Sequence, residues 1–315
     1  MRPFTHPPRP ELVAAYVQCR RIHAHYGRTY YLATRLLPPE RRPHVWALYA
    51  FARVADEIVD NAAGGDPRRL TGWSEHALAA LRAAEPPHPR LEPVLAATWH
   101  TMRAYDLDPG LLEEFLASMA MDLTVTRYAT WADLRGYMRG SAAVIGELMA
   151  PVLGASGPEA LHCAGTLGEA FQLTNFVRDV AEDLDRGRIY LPGEDLRRCG
   201  VSEDALAQAV RCGQPDPAVR TLVAVQVRRA LDLYEQARPG LAMVDASARP
   251  CLEAAFTLYR AILWQVVDHD FDVFAGRLSV PRRARALTAG RVVAAAGVNR
   301  LAVRGGRRPP RRSCS

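Results

Sequence analysis

Asp66-Pro67, Asp108-Pro109 and Asp216-Pro217 each set a side-chain acceptor directly before a proline, and apolar residues then follow at helical period. An acidic N-cap with proline at the first helical position starts a helix cleanly, whereas a central strand could not spare the missing N–H. Strand-like alternation is almost absent. The pattern predicts helices at about 10–26, 39–61, 67–84, 91–105, 109–120, 131–152, 158–185, 203–211, 217–237 and 249–270, with a further one near 281–302. The expected fold class is all-α. At 315 residues the chain is about twice the usual length of one domain, yet no Pro/Gly/Ser linker able to separate two cores precedes residue 304 and no repeat of fixed period is visible. Residues 1–303 therefore read as one helical bundle, and 304–315, rich in Arg and Pro, as a disordered tail.

Every one of the 40 basic residues is Arg. The absence of Lys removes the Walker A phosphate loop, the Schiff-base lysine and the pyridoxal site together. No apolar run approaches the roughly 18 residues of a membrane span, and the N-terminal MRPFTHPPRP lacks the apolar core of a secretory signal, so a cytoplasmic body is expected. The net charge of +6 conceals an asymmetry. Residues 282–315 hold ten Arg and no acid, which leaves 1–281 at 30 − 34 = −4. Such a tail suits attraction to an anionic lipid surface, placing the protein peripherally on the inner face of a membrane; nucleic acid is not an expected partner. The six cysteines are too far apart for a CxxC pair and read as reduced thiols.

Two segments carry a polar stripe where a wide polar face would be ordinary. On WALYAFARVADEIVD (46–60), Tyr49, Arg53, Asp56 and Asp60 fall within roughly 60° of one another on a helix that is otherwise largely apolar. On FQLTNFVRDVAED (171–183), Gln172, Asn175, Asp179 and Asp183 share one face. A carboxylate inside an apolar body must be protonated or compensated by a cation. Acids at i, i+4 on two helices, with Asn175 one turn before Asp179, make an oxygen-rich site suited to Mg²⁺, with Mn²⁺ as a substitute. Arg53, Arg178, Arg186 and Arg188 stand beside those acids, a combination that favours a diphosphate over a bare metal. His23 and His25, at i, i+2, do not share a helix face and read as packing or exposed residues.

With these stripes in hand, RTYYLATRLLPPERR (28–42), VWALYAFARVADEIVD (45–60), GYMRGSAAVIG (136–146), FQLTNFVRDVAEDLDRGRIYLP (171–192) and LYRAILWQVVDHDFDVFAGR (258–277) resemble the squalene/phytoene synthase family, especially its bacterial phytoene-forming members. The resemblance implies an isoprenoid-synthase helical bundle with a central cavity. It implies that Asp56, Asp60, Asn175, Asp179 and Asp183 hold Mg²⁺ ions bridging to diphosphate. Tyr26, Arg28, Thr29, Tyr49, Arg53, Gln172, Arg178 and Tyr259 would contact two prenyl diphosphates, with Arg188, Tyr190 and Arg277 behind them. Tyr137 would sit near the reacting carbons, and Tyr137, Arg53 and Arg178 would carry catalysis. Departures are mild: Glu57 follows Asp56 where a second Asp is common, Thr29 and Tyr30 replace Ser and Phe, and Trp264 stands where an acid is usual.

The implied reaction is head-to-head condensation of two geranylgeranyl diphosphates to phytoene, a prenyl transfer of carotenoid biosynthesis that requires no NADPH. An allylic diphosphate ionises only when its charge is neutralised in a water-poor site, and the resulting cation must be walled by apolar and aromatic groups. Squalene or dehydrosqualene formation from farnesyl diphosphate is the nearest alternative. A class I terpene cyclase fits less well, because Arg178 occupies the place of a metal-binding Ser or Thr, and no DDxxD supports a chain-elongating enzyme. A non-catalytic scaffold with a basic tail would not need two metal-spaced motifs.

Overall fold

The computed structural model of the chain describes residues 10–60 and 67–274. Its helices are α1 (Pro10–Tyr26), α2 (Arg28–Thr34), α3 (Arg42–Asp60), α4 (Pro67–Arg82), α5 (Pro93–Tyr105), α6 (Pro109–Met121), α7 (Trp131–Met138), α8 (Val144–Val152), α9 (Pro158–Arg178), α10 (Val180–Asp185), α11 (Gly193–Arg198), α12 (Glu203–Cys212), α13 (Pro217–Ala237), α14 (Gly240–Met243) and α15 (Arg249–Asp268). Among the described residues there is no strand, only one isolated parallel bridge between Arg127 and Ile189. The chain is all-α, as its patterning implies.

The proline starts work as expected. Asp108 accepts from the N–H of Gly110 at 2.8 Å and Asp216 from that of Val219 at 2.8 Å, each satisfying a donor that the first helical turn leaves over. Thr130 and Asp133 form a reciprocal capping box at the head of α7. Asp66, the helix expected near 281–302, Arg277 and the Arg-rich tail lie outside the described residues.

Two expected helices are not continuous. Between α7 and α8, Arg139–Ala143 form a π-helical turn. Arg139 is drawn there to Glu147, with one bond of 3.0 Å, and to Glu114 of α6 at 3.3 Å. Gly140 meets α6 so closely that a Cβ would sit 2.6 Å from the main-chain oxygen of Glu114. The helix expected over 158–185 breaks at Asp179. Neighbouring residues point in different directions on a straight helix, yet Arg178 clamps the carboxylate of Asp179, so the backbone unwinds locally to φ −103° and ψ 17°. Helical phase survives the break, because Asp179 N–H still bonds Asn175 O and Asp183 N–H bonds Asp179 O, both at 2.8 Å. The short helices α2, α11 and α14 have no counterpart in the sequence reading, being too brief to show a period.

The core is divided into two large apolar clusters, one built around α9, α13 and α15 and the other around α3, α5, α6 and α8; Tyr30, Phe171 and Leu252 pack against both. Between them lies a cavity of about 690 Å³. The backbones of α8 and of the π turn before it nearly touch α9 beside the cavity. A Cβ on Gly146 would come within 2.1 Å of Ala164 O, and one on Gly168 within 2.4 Å of Ala142 O. Trp264 disturbs none of this, lying half exposed on α15 with the Arg260 guanidinium 5.7 Å from its ring. Cys19, Cys163, Cys199, Cys212 and Cys251 are free thiols.

Candidate active site

Both polar stripes face the cavity. From α3 come Tyr49, Arg53 and Asp56; from α9 and its continuation come Gln172, Asn175, Arg178, Asp179 and Asp183. The opposite end is apolar, with Phe115, Met119, Ile145, Met149 and Leu167 in its wall. A charged mouth and a greasy interior are what an amphiphile with an anionic head and a hydrocarbon tail requires.

On α3, Arg53 bonds both Asp56 and Glu57, and its guanidinium lies 4.3 Å over the ring of Tyr26. Tyr49 is held from behind by the buried imidazole of His23, stacked on it at 4.1 Å. Gly27 makes that arrangement possible, since a Cβ there would stand 2.6 Å from Tyr49 Cζ and 2.8 Å from His23 Cδ2. Burial pushes the Tyr49 phenol above its ordinary value, so the group stays neutral.

On the facing element, Arg178 grips Asp179 with two parallel bonds, Nε reaching Oδ1 at 2.7 Å and Nη2 reaching Oδ2. Asn175 donates to Gln172 Oε1 at 3.3 Å, while its own Oδ1 is buried and accepts no hydrogen bond. Burial first, and the Asp179 carboxylate second, push Asp183 up to about 7. A buried acceptor lacking a donor and a carboxylate resisting ionisation both ask for a cation, and oxygen donors of this kind suit a hard divalent ion. Among the described residues no three acidic, His or Cys side chains converge into a ligand cluster of their own. That agrees with a hard ion that takes part of its shell from a substrate's phosphate oxygens and from water.

The aromatic wall lies deeper. Tyr259 stacks on Tyr30 at 4.3 Å, and Phe171 leans on Tyr259 at 4.8 Å. Tyr190 lies flat on Phe176 at 4.0 Å and beside Tyr137 at 5.7 Å. Tyr137 and Tyr190 both donate to Asp122, at 2.7 and 3.0 Å, and Arg188 donates to the main-chain oxygen of Asp122 at 3.2 Å.

Of the residues singled out in the sequence, Tyr26, Tyr49, Arg53, Asp56, Tyr137, Gln172, Asn175, Arg178, Asp179, Asp183, Arg188, Tyr190 and Tyr259 all line this one cavity. Arg28 is exposed and Thr29 half buried; they flank the lining residues Gly27 and Tyr30 without lining the cavity themselves. The backbone of α3 carries Asp60, whose side chain, like Arg277, is outside the described set. The sequence reading missed Asp122, Tyr30 and Phe171. Asp122 belongs to no stripe, and its one signal was an acid at the C-terminal end of an apolar helix, where the dipole disfavours it.

The family model for squalene/phytoene synthase matches residues 23–284. The 15-cis-phytoene synthase of Synechococcus elongatus is 36% identical over 284 residues, covering 86% of this chain and 89% of the relative. The chloroplastic phytoene synthase of Daucus carota is 34% identical, covering 84% of this chain and 67% of the relative. Among solved structures, a dehydrosqualene synthase superposes with a TM-score of 0.80 at 26% identity over 91% of this chain and 98% of that one. The squalene synthase HpnC of Alicyclobacillus acidocaldarius gives 0.74 at 27% identity over 83% and 96%.

Proposed function

Because the chain belongs to the squalene/phytoene synthase family, we propose that it is a prenyltransferase that condenses two geranylgeranyl diphosphates head to head, through a cyclopropylcarbinyl diphosphate, to phytoene. The observation that carries this reading is the joining of two acid-and-arginine stripes and an aromatic wall around one cavity, in a chain whose phytoene-forming relatives are 33–36% identical over most of its length. Relatives named for squalene and dehydrosqualene formation stand further off, at 26–27% identity, so the C15 alternative is the weaker one.

Arg53, Arg178, Arg186 and Arg188 at the charged end would bind the diphosphates, each guanidinium able to grip two oxygens at once. Asp56, Asp60, Asn175, Asp179 and Asp183 would hold Mg²⁺ or Mn²⁺, the fit resting on the unbonded Asn175 Oδ1 and the raised Asp183. Bound there, the metal would neutralise charge on the departing diphosphate. Tyr49, neutral and aromatic, would orient the head groups at the mouth, and Tyr259, beneath it beside Arg178, would back them from the aromatic wall. The Tyr30, Phe171, Phe176 and Tyr190 faces would shield a prenyl cation through their negative ring faces. Tails would lie along the apolar end, where the close approach of α8 and α9 forms a smooth wall.

Purified protein incubated with Mg²⁺ and either the C20 or the C15 diphosphate, with and without NADPH, tests the reading. The expected result is phytoene from the C20 substrate without NADPH; squalene formed only with NADPH would overturn it. No helix among the described residues is long and apolar enough to cross a membrane. Peripheral attachment of the enzyme to anionic lipid through its Arg-rich tail is a separate part of the proposal, tested by flotation with anionic and neutral vesicles, with and without residues 304–315.

A further inference from the structure

The cavity wall carries a carboxylate that neither acidic stripe contains. Asp122 closes α6, is 8% exposed, and offers one oxygen to each of two phenols: Tyr137 donates to Oδ2 at 2.7 Å and Tyr190 to Oδ1 at 3.0 Å. A carboxylate at the C-terminal end of a helix opposes the helix dipole, and its burial is costly, so its position calls for a use. Tyr137 is itself 2% exposed, boxed by Tyr128, Phe176 and Tyr190, and it lines the cavity.

A phenol has one proton. With that proton committed to Asp122, Tyr137 can present only its lone pairs to whatever occupies the cavity. Burial, with the Asp122 charge adding to it, pushes Tyr137 well above the ordinary phenol value, so it does not give its proton up to solvent. It can accept a second proton only as it hands the first to Asp122.

The condensation needs such an acceptor. Joining two prenyl diphosphates into a neutral polyene expels both diphosphates and two protons: one as the cyclopropane closes, taken up by the first diphosphate released, and one from the carbon next to the last cationic centre, as the central double bond forms. Protons beside a carbocation are so acidic that the strength of the acceptor matters little; its placement decides. We infer that Asp122 is the proton sink for this last loss, acting through Tyr137. The C–H bond breaks, its electron pair becomes the π pair of the new double bond to the cationic carbon, the proton passes to Tyr137 Oη, and the proton Tyr137 already held passes to Asp122 Oδ2. A cation and a carboxylate become a neutral hydrocarbon and a carboxylic acid, with no oxidant or reductant involved. Arg188, bonded to the main-chain oxygen of Asp122, and the stack of Tyr190 on Phe176 keep the pair in place. The inference rests on the head-to-head reading above.

Diphosphate release and hydrocarbon formation, measured in the same sample with Mg²⁺ and geranylgeranyl diphosphate, test it. Wild type should release two diphosphates per hydrocarbon. Asp122→Asn keeps the shape but not the base, and should lower hydrocarbon at least tenfold relative to diphosphate, the difference appearing as prenyl alcohols from water capture. Tyr137→Phe should uncouple the two in the same way, and decides the matter alone if Asp122→Asn is not recovered folded. A wild-type ratio in these variants, at whatever rate, overturns the inference, as does the failure of the folded variants to release any diphosphate, which would assign the pair to ionisation. If wild type turns over only farnesyl diphosphate, the substrate reading fails while the same ratio, read on that substrate, still judges the relay.

Discussion

The imidazole of His23 lies flat against the ring of Tyr49, centroids 4.1 Å apart and planes 18° from parallel, with both ring nitrogens buried and unbonded. Burial pushes this histidine down to about 3. A folded value below the unfolded one means that the unfolded chain takes up the proton first, so the contribution to stability is present above about pH 6.5 and drains away as pH falls toward 3. His23→Phe keeps the stack without the nitrogens. The difference in urea midpoint between pH 7 and pH 4.5 should shrink in this variant, by the equivalent of about 2 kcal/mol. An unchanged difference would mean that the imidazole is not buried in solution.

Asp183 has the opposite sign. Its folded value is raised, so its ionised form opposes folding at pH 8. Asp183→Asn should therefore raise the metal-free melting temperature at pH 8, by on the order of 1 kcal/mol in stability, while lowering turnover by orders of magnitude. Full activity in the variant would remove Asp183 from the metal set.

Arg178→Lys should cost far more than its conserved charge suggests. The guanidinium makes two parallel bonds to Asp179, and an ammonium cannot reproduce that fork toward carboxylate or phosphate. A fall in kcat/KM of at least a hundredfold, or about 3 kcal/mol, is expected in steady-state assays; near-wild-type kinetics would reduce Arg178 to a structural role.

Gly146→Ala tests the wall of the tail cavity. Its new Cβ would meet the main-chain oxygen of Ala164, which cannot swing aside as a side chain could. Destabilisation of about 1–3 kcal/mol by overpacking is expected, read as a lower denaturation midpoint. Equal stability would mean that α8 and α9 stand further apart in solution.

Long-period features are legible in the sequence itself. The Asp-Pro starts located α6 and α13, and the phase of Tyr49, Arg53 and Asp56 against Gln172, Asn175 and Asp179 identified one shared site, because 3.6-residue periodicity is written directly into spacing. The breaks were not legible. The unwinding at Asp179 follows from an adjacent side-chain clamp, and the π turn at Arg139–Ala143 from partners on α6 and α8, both decided by tertiary contact. Asp122 was hidden for the same reason: a single acid has no period, and its phenol partners lie 15 and 68 residues away.

The arginine–acid pairs Arg53–Asp56 and Arg178–Asp179 give the site an internal balance of charge. In each pair an acid fit for a metal is held by an arginine fit for a phosphate. A divalent ion arriving alone would have to draw Asp179 off Arg178, and Asp56 off Arg53, which would keep only Glu57; a diphosphate arriving alone would loosen the same acids. Arriving together, they would exchange partners, acid to metal and guanidinium to phosphate. The two ligands would thereby be thermodynamically linked: each should raise the affinity for the other by the same factor, and the enzyme would respond to the metal–diphosphate complex as a single signal.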